Sequence, residues 1–180
     1  MKISSKTLIS ILCINIILLL SVVTVLKEEN KNIRDLQVVQ NEDNASEPDL
    51  LYIPKLNIKK SIKPGLYDFQ QKQWNISSSY PHYATVSAKP NTLGGNTVIY
   101  AHNSENLFEK INQLDYKDKV ILTTKDGKIF TYEYDREEFV LPSDVSVITR
   151  EGRPRLTLLT CAGKKNSLRK LVHFKLMNAI

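Results

Sequence analysis

From Leu50 onward the chain alternates short apolar, β-branched runs with turn signals, and this pattern restricts the fold more than any other feature. The runs are Leu50–Ile53, Ile58–Ile62, Asn96–Tyr100, Lys119–Thr123, Lys128–Tyr134, Phe139–Leu141, Leu156–Thr160 and Lys170–Met177. Asp126-Gly127 between two of them is typical of a hairpin. Helical spacing occurs in one segment, at Leu107, Phe108, Ile111 and Leu114. Many short strands with so little helix predict an all-β fold, either a closed antiparallel barrel or a sandwich.

An uncharged apolar segment, Thr7–Leu26, precedes this region. About 20 such residues are enough to cross the hydrocarbon core of a bilayer as a helix. Lys2 and Lys6 come before the segment, so the positive-inside rule predicts a cytoplasmic N-terminus and an exported remainder. Residues 1–26 are therefore predicted to form a cytoplasmic stub and a transmembrane signal anchor. The predicted location is the cell membrane, with a single pass and an extracellular domain.

A cleaved signal peptide is the alternative interpretation of this segment. Its apolar run is longer than a typical signal core, and the following Leu26-Lys27-Glu28-Glu29 offers no site with small residues for cleavage. Cleavage as a lipoprotein is disfavoured too, because Leu12 before Cys13 is too large. These observations favour an uncleaved anchor.

Residues 27–49 have the composition of a flexible, acidic linker. They hold three basic and seven acidic residues, a net charge of −4, whereas the whole chain carries +6. The basic charge therefore belongs to the predicted domain, residues 50–180. Such a domain near a membrane can meet anionic lipids, wall polymers or an acidic substrate. Nucleic acid is not expected as a partner, since no binding motif is present in an exported chain.

Cys161 is the one cysteine outside the apolar N-terminal segment, so it has no partner for an intramolecular disulfide in the predicted domain. It ends the run Leu156–Thr160, and two interpretations are open. A free cysteine is often a small buried hydrophobe. A lone thiol at the end of a strand, with histidines elsewhere in the chain, is also a candidate nucleophile.

A thiol is a weak nucleophile until it loses its proton, so a catalytic cysteine needs an imidazole or a cation nearby. His102 follows the predicted strand Asn96–Tyr100 and is the favoured partner, because ends of strands commonly carry chemistry. His82 is expected in a surface turn, and His173 is expected to be a packed or solvent-facing strand residue. Arg169 would return beside Cys161 if residues 162–168 form a loop, and its planar fork suits an oxyanion or a substrate carbonyl.

Four segments together resemble the sortase family, in the family's order, from about Leu50 to the C-terminus. Thr157-Leu158-Leu159-Thr160-Cys161 followed by Arg169-Lys170-Leu171-Val172 is similar to the family's TLxTC…RxLV signature. The other three are Gly94-Gly95 with Asn96–His102, Ile53–Ile58 with Pro64-Gly65, and Val140–Asp144.

The resemblance implies a closed eight-stranded sortase-type β-barrel with one or two short helices, and a membrane-anchored cysteine transpeptidase of Gram-positive bacteria. It implies that Cys161 is the nucleophile, His102 the general acid and base, and Arg169 the group that orients substrate and stabilises the oxyanion. Thr160 would contact substrate. The implied partners are proteins with LPxTG-like sorting signals and an amine acceptor from a peptidoglycan precursor or a pilin. Hydrolysis alone, and a scaffold barrel with an inert Cys161, remain alternatives.

Some features bear on the subclass. Asn103 stands where many sortases have arginine, and residues 85–90 match the family's usual loop only loosely. The short interval from Phe139 to Cys161 disfavours class B, and the lack of an apolar segment after Arg169 disfavours many class C enzymes. A class A-like or class D-like enzyme is expected. No cofactor is predicted, and no metal is assigned to the carboxylates between residues 105 and 118.

Overall fold

The computed structural model describes residues 20–28, 45–68, 70 and 73–180. The chain divides into two units, Met1–Gln40 and Asn41–Ile180. In the first unit residues 20–28 are helical, and most of the predicted transmembrane segment lies outside the described residues. Within the part that is described, no helix has both the length and the apolar character needed to span a bilayer.

The described residues of the second unit form eleven strands and three short 3-10 helices. The strands are β1 (Pro48–Ile53), β2 (Ile58–Ser61), β3 (Lys63–Gly65), β4 (Tyr67–Asp68), β5 (Gln73–Trp74), β6 (His82–Ala84), β7 (Asn96–Tyr100), β8 (Lys119–Thr124), β9 (Ile129–Val140), β10 (Arg155–Ala162) and β11 (Leu168–Ala179). The 3-10 helices are Pro54–Leu56, Glu109–Gln113 and Lys164–Asn166.

Nine strands form one sheet in the order β2-β1-β8-β9-β11-β10-β7-β6-β3, and β4 and β5 form a separate hairpin. The two edge strands, β2 and β3, are separated in sequence by Ile62 alone, so the sheet curls back on itself and is nearly closed.

The predicted all-β, barrel-like fold is confirmed. The expected count of eight becomes nine: two predicted runs merge into β9, and the short strands β3 and β6, which the sequence did not predict, join the sheet. The pairing in the sheet is not antiparallel throughout, as it would be in the antiparallel barrel that the sequence suggested, since β10 pairs with β7, and β3 with β6, in parallel.

A second correction concerns β9, which is one strand of twelve residues where the sequence predicted two. The polar stretch between Tyr134 and Phe139 does not end the strand, because its backbone pairs with β11 across a register shift at His173 and Phe174. Side chains of the polar stretch also pair with β11: Glu137 contacts Lys170 at 2.7 Å, and Glu138 contacts His173 at 2.8 Å. The charged residues between the two predicted runs therefore contribute to the pairing of β9 with β11.

Two hydrophobic clusters lie on opposite faces of β10. The larger cluster draws buried side chains from almost every strand of the sheet, including Leu156 and Leu158, and forms the interior of the barrel. The residues with helical spacing, Leu107, Phe108, Ile111 and Leu114, are all buried in it. Successive side chains of a strand point to opposite faces. Thr157, Leu159 and Cys161 therefore share the other face, where the smaller cluster lies.

Candidate active site

Three adjacent strands, β7, β10 and β11, bring the predicted site residues together. Cys161 and Arg169 are direct partners in the antiparallel pair of β10 and β11. Side chains of such partners lie on the same face, with Cβ atoms about 5 Å apart. On the other side of β10, Leu159 is the parallel partner of Tyr100. His102 lies two residues beyond Tyr100, as Cys161 lies two residues beyond Leu159. The three residues therefore occupy neighbouring positions at the ends of three adjacent strands, and this set of positions is called here the row.

The end of β7 is held against β10 by two hydrogen bonds. The backbone N–H of Ala101 donates to the carbonyl of Leu159 at 3.1 Å, and the hydroxyl of Thr160 donates to the carbonyl of Ala101 at 2.9 Å. These bonds fix the backbone immediately before His102. Thr160 is 3% exposed and lies on the face opposite Cys161, so the structure gives it this contact with the backbone. A contact with substrate stays a prediction.

Arg169 folds back over the loop that joins β10 to β11. Its Nη1 donates to the carbonyls of Asn166 and Leu168, both at 3.0 Å. The loop turns through left-handed backbone at Lys165 and Asn166, with φ of 55° and 59°. A guanidinium has five N–H donors. Within the described part of the chain, the two bonds leave three donors of Arg169 for a ligand.

The chemical groups of the row are accessible without being fully solvated. Cys161 is a free thiol and half-buried, and His102 and Arg169 are also half-buried. A thiol next to an imidazole and a fixed positive charge is an arrangement suited to nucleophilic attack on a carbonyl. In the described ranges, no three His, Cys, Asp or Glu side chains are grouped to hold a metal ion.

Next to the row lies an apolar floor, formed by Tyr100, Leu159 and Leu171. Each is two residues from one member of the row, on the same face of its strand. They pack with Val147 and Ile148 of the loop that joins β9 to β10, residues 141–154, called here the β9–β10 loop. Tyr100 and Leu171 are 7% and 1% exposed beneath this loop, whereas Leu159 is half-buried, so Leu159 is the part of the floor that remains open beside the thiol.

Tyr100 is fixed by contacts that the sequence did not suggest. Its hydroxyl donates to the carbonyl of Asn75 at 2.8 Å, and burial raises its pKa. The indole of Trp74 packs against its ring edge to face, with centroids 5.5 Å apart. His82 stacks on the ring at 5.5 Å from β6 and is 5% exposed. The expectation of a surface turn for His82 was therefore wrong, because three residues after Pro81 form a buried strand.

The remaining histidine is part of a buried polar network. His173 is 1% exposed, so of the two expectations, a packed or a solvent-facing strand residue, the structure supports the packed one. Its contacts to Thr157 and Glu138 are hydrogen bonds of 2.9 and 2.8 Å. Sequence reasoning missed these partners, which lie 16 and 35 residues away along the chain.

A barrel-like sheet that carries a free thiol at a strand end, opposite an arginine and next to a histidine, is the framework of a cysteine-dependent acyl-transfer enzyme. A family model described as the sortase domain matches residues 51–177 of the chain. The chain therefore belongs to the sortase family, and it is an enzyme of the cysteine transpeptidase type. No curated protein matches the chain closely enough in sequence to count as a relative.

Solved structures with the same fold include several sortases. Sortase E1 from Streptomyces coelicolor, with a tripeptide in its active site, is 25% identical, with a TM-score of 0.61, over 74% of this chain and 90% of that one. Sortase C-3 from Streptococcus pneumoniae is 22% identical, with a TM-score of 0.62, over 75% of this chain and 64% of that one. A sortase C from Streptococcus pneumoniae, described as giving insights into catalysis and pilin substrate specificity, is 25% identical, with a TM-score of 0.58, over 74% of this chain and 70% of that one.

Proposed function

We propose that this sortase is a membrane-anchored transpeptidase that cleaves a C-terminal LPxTG-like sorting signal and joins the protein to a cell-wall amine. The observation that carries the proposal is the row of His102, Cys161 and Arg169 across three adjacent strand ends. The row combines a nucleophile, a proton carrier and an oxyanion partner, which together are what acyl transfer needs.

In the proposed first half-reaction, the thiolate of Cys161 attacks the scissile carbonyl carbon and a C–S bond forms. The carbonyl oxygen takes the negative charge, next to the donors of Arg169. When the tetrahedral intermediate collapses, the C–N bond breaks, and His102 gives its proton to the leaving amine. A thioester then joins the sorting signal to Cys161.

In the second half-reaction an acceptor amine attacks the thioester carbon. His102 takes the proton from the amine, the C–S bond breaks, and Cys161 leaves as a thiolate. The product contains a new amide bond, and the enzyme is regenerated without a cofactor.

Membrane attachment is the second part of the proposal. The uncharged segment Thr7–Leu26 with Lys2 and Lys6 before it supports a single pass with the N-terminus in the cytoplasm. The acidic linker, residues 27–49, would then separate the bilayer from an extracellular catalytic domain, residues 50–180. A class A-like or class D-like enzyme remains the proposed subclass.

The experiment is incubation of the full chain in detergent micelles with a panel of LPxTG-like and LPxTA-like peptides and a simple amine. We expect an amide-linked product from at least one peptide, and no product with the Cys161→Ala variant. Free acid alone, with the amine in excess, would mean a hydrolase and not a transpeptidase. No turnover of any peptide, with Cys161 kept reduced, would contradict the proposal.

Joining pilins is a second candidate, supported by the fold shared with the pneumococcal sortase C at 25% identity. The acceptor distinguishes the two functions. A pilin-joining enzyme would favour the side-chain amine of a lysine within a folded protein, whereas a wall-anchoring enzyme would favour the amine of a peptidoglycan precursor. Direct competition between these two acceptors in the same assay gives the preference.

A further inference from the structure

A network of hydrogen bonds runs beside the apolar floor, on the same face of the sheet, from β11 to the β9–β10 loop. The imidazole Nδ1 of His173 lies 2.9 Å from the hydroxyl of Thr157, and that hydroxyl lies 2.9 Å from Oδ1 of Asn96. The amide Nδ2 of Asn96 donates to the carbonyl of Val147 at 2.7 Å. His173, Thr157 and Asn96 are each at most 1% exposed.

The donor and the acceptor in each of these hydrogen bonds can be assigned by starting from the carbonyl of Val147, at one end of the network. The carbonyl of Val147 can only accept, so Asn96 must present its amide nitrogen to the loop and its oxygen to Thr157. The hydroxyl of Thr157 then donates to Asn96, and its oxygen is left to accept from Nδ1 of His173. All of these hydrogen bonds therefore point the same way, with each donor on the His173 side of its acceptor from Val147 back to His173.

The other end of the network also reaches the β9–β10 loop. Nε2 of His173 lies 2.8 Å from Oε1 of Glu138, and that oxygen lies 3.5 Å from the guanidinium of Arg150. The loop is thus held at Val147 by one end of the network and at Arg150 by the other. Gly95 adds a backbone bond from its N–H to the carbonyl of Gly152 at 3.0 Å.

The part of the loop held in this way is the part that covers the floor beside the thiol. Val147 is 2% exposed and packs in one cluster with Tyr100, Leu159 and Leu171. Thr157 and His173 lie four residues from Cys161 and Arg169 on the same strands and face, which is about 13 Å at about 3.3 Å per residue. At this separation the network can act on the loop without touching the reacting atoms.

We propose that Thr157, His173 and Glu138 are positioning residues, which hold the β9–β10 loop against the apolar floor and thereby set the affinity of the enzyme for the apolar part of its peptide substrate. The affinity readout rests on the proposed function. The position of the loop is independent of it and is measured separately.

The first arm of the experiment is hydrogen exchange of residues 141–154 in the full chain in detergent micelles. The variants are Thr157→Val, which removes the hydroxyl at nearly constant volume, and Glu138→Gln, which removes the charge at the partly exposed end. Thr157→Ser keeps the hydroxyl. Glu133→Gln is the matched control, because Glu133 also lies on β9 and pairs with β11, at Lys175, but has no contact with the loop among the described residues. We expect at least fivefold faster exchange of the loop in the first two variants and wild-type exchange in the other two.

The second arm is peptide turnover. We expect KM to rise about tenfold in Thr157→Val and Glu138→Gln, with kcat and the rate of Cys161 alkylation by iodoacetamide both within twofold of wild type. Loop exchange equal to wild type in Glu138→Gln would overturn the proposal, and this variant decides the matter if Thr157→Val does not fold. A fall in kcat and in alkylation rate at unchanged KM would also overturn it. If the wild type turns over no peptide, the proposed function fails. Hydrogen exchange of the loop alone then decides whether the hydrogen-bond network positions the β9–β10 loop.

Discussion

Cys161 and Arg169 lie directly opposite each other on adjacent antiparallel strands, at the end of the sheet where β7 also ends before His102. The strand register, and not the loops, therefore sets the separation of the thiol and the guanidinium. A register fixed by an eight-residue pairing between β10 and β11 holds the two groups together in the absence of substrate.

Arg169 is predicted to act through the geometry of its fork and not through charge alone. Arg169→Lys keeps the charge but replaces the planar fork with a compact ammonium, which does not reproduce a geometry in which Nη1 binds two loop carbonyls and Nε and Nη2 are left for a substrate oxygen. We expect kcat to fall by about a hundredfold, the usual effect of losing one oxyanion donor. Steady-state kinetics with a sorting-signal peptide measures it. Arg155→Lys, at the far end of β10, is the control, and kcat for Arg169→Lys equal to that of the control would refute the role.

Thr160 is predicted to position His102 through the backbone. Thr160→Val leaves the carbonyl of Ala101, in a residue that is 2% exposed, without its hydroxyl donor. A buried acceptor without a donor costs about 1–3 kcal/mol of stability. We expect a lower free energy of unfolding by that amount, measured by denaturant titration, and a lower kcat. Thr160→Ser retains the hydroxyl and should restore most of both; a Ser variant as impaired as the Val variant would show that the methyl group matters instead.

His173 is predicted to make stability fall as the pH falls. Burial lowers the pKa of its imidazole below the ordinary value, against the raising effect of the hydrogen bond to Glu138, and Arg136 and Arg150 also lower it. The unfolded chain then takes up the proton of His173 at a higher pH than the folded protein does. The contribution of the neutral ring to the free energy of unfolding is therefore fully present when the pH is above about 6.5, the pKa of the unfolded chain, and is lost as the pH falls below that value.

The measurement is the free energy of unfolding of the wild type and of His173→Gln at pH 7.5 and pH 5.5. We expect the advantage of the wild type to shrink at the lower pH. An advantage that grows at pH 5.5 would show that the attraction to Glu138 exceeds the effect of burial, so that the pKa of His173 is raised.

Much of the fold could be predicted from the sequence because its signals are local. The runs Asn96–Tyr100 and Lys119–Thr123 correspond to β7 and β8 within one residue, and Asp126-Gly127 does lie in the turn after β8. The pairing of Cys161 with Arg169 could be predicted for a similar reason, since the short interval between them allows a tight return from one strand to the next.

The parts that sequence analysis missed depend on contacts between distant segments. Thr157 and Asn96 are 61 residues apart, and their hydrogen bond exists only because β10 and β7 pair in parallel. His82 begins a strand of only three residues directly after Pro81, which is too short to show an alternating pattern in the sequence. In the structure its ring is stacked on Tyr100 of another strand. Glu138 lies between two of the predicted strand runs, and its partner, His173, is 35 residues away along the chain.

The most direct test of Cys161 as the nucleophile is the mass of the enzyme during turnover. The full chain is incubated with an LPxTG-like peptide without an amine, quenched in acid and mapped by mass spectrometry. We expect a thioester adduct of the acyl part of the peptide on the fragment that contains Cys161, which a simple amine then removes. Cys161→Ala should carry no adduct, lose at least about a thousandfold in transfer and remain folded. An adduct on another residue, or transfer that survives in Cys161→Ala, would contradict the assignment.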